Sequence, residues 1–173
     1  MPFSMSQTAL PTFDINLTAL SGVLGNGEAY AADKKIDPAV LLNLRLFPNM
    51  FTLTRQVQVA SDHAKNGSAR LAGIDPPRFE DNETTIEQLK ARIAKTLAFL
   101  KTLDRKQLDG SADREITFPL GPAKGHMTGA DYLNHFVLPN FYFHCTAAYT
   151  ILRHIGVDIG KRDFMGAIPI KVS

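Results

Sequence analysis

The sequence predicts an all-α protein, a four-helix bundle interrupted by a short β-hairpin or extended excursion before its last helix. Three observations carry that prediction. Leu10, Phe13, Leu17, Leu20 and Leu24 recur at alternating spacings of three and four, the period of one helix face. Ile86, Leu89, Ile93, Leu97 and Leu100 repeat the pattern as regularly. The stretch from Tyr132 to His154 is mostly apolar and long enough for a third such helix, preceded by the only segment that alternates as a strand does.

Taken in order, the first stripe begins near Pro11, which either occupies the first turn or kinks the helix. Gly25-Asn-Gly27 ends the clean pattern, although Glu28 to Lys35 can extend the helix by two turns. Asp37-Pro38 suits an N-cap followed by N1, opening a short apolar turn over 39–46. Phe47-Pro48 opens a second long helix to about Ala72, with Met50, Phe51, Val57, Ala60 and Ala64 inward and Gly73 as its stop. Residues 74–82 form a turn-rich connection. Thr84 and Glu87 make a capping box for the third helix. Arg114 to Leu120 alternates weakly and meets Gly121-Pro122, hence the hairpin. Thr128 and Asp131 restart a helix that ends at Gly156. The whole chain, 1–173, reads as one domain with a core over about 4–156 and a tail, 157–173, packing on the bundle or on a partner subunit.

Composition excludes several classes. Apolar residues make up 45% and charged residues 21% of 173, ordinary for a globular chain. The net charge of +2 comes from 19 basic and 17 acidic residues with no block of one sign, so no nucleic-acid partner is expected. No run approaches the roughly 20 apolar residues that span a bilayer, so no membrane partner is expected either. The opening Met1-Pro-Phe-Ser-Met-Ser-Gln lacks a basic start and an apolar run, giving a cytoplasmic expectation. The single cysteine, Cys145, forms no internal disulfide and reads as a small buried hydrophobe.

Polar residues within the last apolar helix mark the candidate site. Asn140 and His144 stand i, i+4, one turn apart on one face. His135 lies nine residues before His144, on the opposite face of a straight helix. Pro139 has no amide hydrogen, which leaves the carbonyl of His135 without its helical donor. His63 follows Gln56 by seven residues, so both share a face of the second long helix. His63, Asn140 and His144 therefore make a candidate inward-facing cluster, with the Tyr142 hydroxyl close to it and His135 toward the other half of the bundle. Each residue also has a plainer role: a solvated flank for His63, a hydrogen-bonded core imidazole for His144, a backbone partner for Asn140. His154 suits a helix C-terminus, His126 an exposed place in the excursion, and Lys161-Arg162 ion pairs with Asp158 and Asp163. No nucleotide loop, nucleophile elbow or HExxH motif is present.

Met5-Ser-Gln-Thr-Ala-Leu-Pro-Thr-Phe, Leu44-Arg-Leu-Phe-Pro-Asn-Met-Phe with Arg55-Gln-Val-Gln, His135-Phe-Val-Leu-Pro-Asn-Phe-Tyr-Phe-His and Gly160-Lys-Arg-Asp-Phe-Met-Gly together resemble the DUF1993 family. That family is similar to the DinB/YfiT-like superfamily, which implies a DinB-like four-helix bundle in up-down-down-up order, often a homodimer. Many superfamily members hold a divalent metal with one histidine on the second helix and an HxxxH pair on the last. Some are thiol-dependent transferases or hydrolases. Carried onto this chain, the pair falls on Asn140 and His144 and the second-helix ligand on His63, so an amide stands where the pattern has a third imidazole. Three functions follow as expectations. One is a small-ligand-binding or non-catalytic bundle with a pocket at Asn140 and His144. Another is a hydrolase or thiol transferase using zinc, nickel or manganese on His63 and His144. The last is a structural, dimer-forming protein.

Overall fold

A computed structural model describes residues 4–170; Met1–Phe3, and residues 171–173 of the tail, lie outside the described residues. Helix α1 spans Met5–Lys34, with the Ser4 hydroxyl accepting the Gln7 N–H at 3.2 Å as its N-cap. Pro11 falls inside the helix rather than in its first turn. Gly25-Asn-Gly27 does not end it either. A Cβ on Gly27 would stand 3.1 Å from Leu152, so this glycine lets the helix approach the last one closely, and packing outweighs its weak helix propensity. The helix buries Phe13, Leu17, Leu20 and Leu24, as the spacing requires.

The short helix α2, Pro38–Leu42, is capped by Asp37 as its sequence indicates, but ends earlier than expected. Helix α3 spans Leu53–Ala72. It starts at Thr52, whose hydroxyl accepts the Arg55 N–H, and not at Phe47-Pro48. Phe51 is accordingly exposed rather than inward, whereas Val57, Ala60 and Ala64 are fully buried. Gly73 terminates the helix with φ of 76°, where a side chain would be strained. Helix α4, Ile86–Lys101, has its capping box at Thr85 and Gln88, one residue beyond the Thr84–Glu87 pair.

Helix α5, Arg105–Asp109, was not legible as a helix. The Asp109 carboxylate accepts the Ser6 N–H at 2.8 Å and its hydroxyl at 3.1 Å, tying α5 to the start of α1. The hairpin follows as β1, Glu115–Leu120, and β2, Ala123–Thr128, antiparallel with Phe118 opposite Gly125. A Cβ on Gly125 would stand 2.7 Å from the Phe118 ring, so the glycine gives that ring its place.

Helix α6, Gly129–Asp131, starts at Thr128 as read from the sequence. It passes into a π-helical turn, Tyr132–Val137, and then into α7, Leu138–His154. The wide turn lies just before Pro139, whose missing N–H breaks the regular i→i−4 ladder. The tail forms α8, Lys161–Met165, packed on α1, with Phe164 edge-on to Tyr149 at 5.7 Å.

The four long helices close a ring: α1 packs on α4 and α7, and α3 packs on α4 and α7. The hairpin sits at one side, where Phe118 meets Tyr132 at 4.8 Å and Phe136 at 4.5 Å between ring centres. Among the described residues, no helix is long and apolar enough to cross a membrane.

Candidate functional site

Helix α3 presents His63, Asn66, Gly67 and Arg70 along one face at helical spacing. The π-helical turn brings Tyr132 and Phe136 opposite them, and β1 contributes Phe118 and Pro119. Together with Asp62 these residues line a recess of about 140 Å³. The close approach depends on Gly67, where a Cβ would fall 2.6 Å from a Val137 methyl. A Gly67→Ala variant is expected to lose about 1–2 kcal/mol of stability by denaturant unfolding, because overpacking outweighs the gain in helix propensity.

The two histidines stand side by side. Their rings are 5.8 Å apart between centres and tilted by only 12°. Phe136 meets His63 at 5.7 Å and Phe51 stacks on His144 at 6.1 Å, so the imidazoles sit in the middle of an aromatic column. His144 is 7% exposed, and its Nδ1 is 2.6 Å from the Gln56 Oε1. Gln56 donates its amide to the Phe51 carbonyl at 3.3 Å, which fixes that oxygen as the acceptor. His144 therefore carries its proton on Nδ1 and keeps a lone pair on Nε2. Burial, joined at His63 by the neighbouring His144, holds both imidazoles down from 6.5 to about 4. Both are neutral near pH 7.

The other expected residues separate from this pair. Asn140 is half-buried and donates its amide to the Phe136 carbonyl at 2.7 Å, the backbone role, although the carbonyl served is Phe136 rather than His135. Tyr142 is 40% exposed, and His135 points outward beside Asp131 at 3.8 Å. Cys145 is buried, and burial raises its thiol pKa. His126 bonds Thr117 on the hairpin surface, and His154 is exposed at the end of α7. The pairings expected of Lys161 and Arg162 are not made: Asp158 faces Arg153, and Asp163 accepts the Gly160 N–H.

The three-histidine metal pattern needs a third imidazole beside His63 and His144. A metal-ligating imidazole typically donates its other N–H to a carbonyl or carboxylate, and His144 does so to Gln56. The match stops there. The third position holds an amide committed to Phe136, and no group of three or more His, Cys, Asp or Glu side chains gathers among the described residues. The residues present do not fit that pattern.

Arg70, Asn66, Tyr132 and Phe118 were missed by sequence reasoning. For Asn66 and Arg70 the signal was the i, i+3, i+7 run of polar residues from His63 to Arg70. Only the fold shows that the hairpin and the wide turn face it.

A mostly-α ring of four long helices with one hairpin before the last is a DinB-like fold. Among solved structures, the chain is similar to the crystal structure of a DinB family member protein from Shewanella denitrificans. Its TM-score is 0.90 at 39% sequence identity, over 97% of this chain and 95% of that one. The chain belongs to the family described as a domain of unknown function, DUF1993, whose model matches residues 5–165. No curated protein matches it.

Proposed function

We propose that this protein is a small-molecule-binding DinB-like bundle whose site is the recess between α3, the π-helical turn and β1. The supporting observation is the lining: polar His63, Asn66 and Arg70 and aromatic Phe118, Tyr132 and Phe136 border one space of about 140 Å³. Ligand sites combine an apolar lining with a few placed polar groups in this way. The centre of the site is thus His63, with His144 stacked behind it as support, rather than the Asn140–His144 couple.

A larger groove of about 340 Å³ between α1 and α4 is lined mainly by Leu10, Pro11, Leu97, Leu100 and Leu103. Asp14, Lys101 and Arg105 also line it, but it holds no imidazole, amide or hydroxyl side chain and no aromatic ring, so it is the weaker candidate.

The test is an amide NMR spectrum recorded with a panel of small polar organic molecules. Shifts are expected to concentrate on His63, Gly67, Arg70 and Phe136. Shifts confined to the α1–α4 groove, or none with any compound, would refute this placement.

A further inference from the structure

Arg70 is a cation without a carboxylate partner among the described residues. Its Nη1 donates to the Tyr132 hydroxyl at 3.2 Å, and no ion pair engages it. The acidic residue of the same recess, Asp62, is already held by Arg92 at 2.9 Å and Lys65 at 3.2 Å. The nearby Arg114 donates to the carbonyls of Arg70 and Leu71 instead. The recess therefore retains one uncompensated positive charge.

Tyr132 supplies a second polar group. Its residue is 1% exposed, its hydroxyl accepts from Arg70, and its own hydrogen has no acceptor among the described residues. A phenol buried against a cavity normally uses that hydrogen. A guanidinium fork and a phenolic O–H side by side suit an oxygen anion, and planar bidentate pairing favours a carboxylate. The opposite wall of Phe118, Pro119 and Phe136 is apolar and suits a hydrocarbon end.

Size narrows the class. A cavity of about 150 Å³ holds a molecule as large as benzene, and this recess is about 140 Å³. The recess opens to solvent, so about six heavy atoms of a guest can be held inside it. A phosphate dianion fits less well, since a single guanidinium faces it and the Asp62 carboxylate stands in the same recess.

Accepting the recess as the ligand site, we propose that it takes a small monocarboxylate. The carboxylate lies between Arg70 and the Tyr132 hydroxyl, and the short aliphatic end lies on Phe118 and Phe136.

The experiment is an NMR titration of the full chain with butyrate, butyramide, octanoate and inorganic phosphate. Butyrate is expected to bind with Kd in about the millimolar range, as so few atoms permit. Its shifts should fall on His63, Gly67 and Arg70. Butyramide and phosphate are each expected to bind at least about tenfold more weakly, and octanoate to shift the same recess residues, its longer tail reaching out of the opening. Arg70→Gln should weaken butyrate about tenfold or more, and Tyr132→Phe about threefold to tenfold, the range for one lost hydrogen bond.

Equal binding of butyrate and butyramide, or tighter binding of phosphate, overturns the carboxylate assignment. If the shifts still fall on the recess, its role as the ligand site stands. The acid–amide comparison needs no variant, so misfolding of Arg70→Gln leaves the test intact. Absence of any recess shift with all four probes removes the carboxylate assignment and, with the broader panel silent as well, the site itself.

Discussion

An Arg92→Met variant is expected to unfold about 3 kcal/mol more easily than the parent chain, lowering Tm by roughly 6–12 °C at this size. The Arg92 side chain is 2% exposed and meets Asp62, Asp81 and Glu83, each at 2.9 Å. It also donates to the Glu80 carbonyl at 3.0 Å. Removing the guanidinium leaves three acidic groups close together with their shared cation gone. Lys65 offsets part of that loss through Asp62, which keeps the figure at the lower end for a broken buried pair. An exposed comparator, Arg55→Gln, loses its bonds to Asp81 and to the Gln58 Oε1 but should cost only about 1 kcal/mol, since Arg55 and Asp81 are both well solvated. Urea unfolding at neutral pH separates the two, and equal losses would show that burial does not set the value of this network.

The Arg92 cluster also bears on the site. It holds the connection after α3 in place, with Lys65 bonding the Pro77 carbonyl at 2.7 Å and lying 4.2 Å over the Phe79 ring. By neutralising Asp62 it leaves Arg70 as the dominant charge of the recess. A stability network and an electrostatic setting for the site are thus the same set of side chains.

The apolar stripes were legible because burial follows helical spacing directly: Phe13, Leu17, Leu89 and Ile93 are all core residues. Caps were legible where a side chain has one backbone partner, as at Asp37 and Thr128. Helix boundaries failed where tertiary contact decides. Gly27 stays helical because Leu152 packs onto it, and Phe51 lies outside because Thr52 supplies a better cap.

At the site, the sequence placed His63 and His144 on faces that do meet, as their stacking shows. It paired His144 with Asn140 because both lie on one helix, yet the nearer polar partner, Gln56, comes from another helix 88 residues away. Periodicity reports which residues share a face. It carries no information about which hairpin ring covers that face, so Phe118 and the recess it closes could not be read.

The paired imidazoles should make the fold sensitive to mild acid. Each sits at about 4 in the folded chain against the ordinary 6.5, chiefly through burial. Between those values the unfolded chain binds protons that the folded chain does not, so stability rises with pH across this window and falls on acidification. At pH 5 the loss is on the order of 2 kcal/mol for each ring. Carboxylates in general also begin to protonate toward the acid end, so the wild-type slope alone is not diagnostic. Urea midpoints measured at pH 7, 6 and 5 for the parent, His63→Gln, His144→Gln and the double variant isolate the histidine part. Each single change should flatten the slope by roughly half and the double change by most of it. Because His144 depresses His63, removing His144 should also raise the His63 titration seen by NMR. An unchanged slope in the double variant would mean that the rings take up protons in place, without the burial that the stacked geometry imposes.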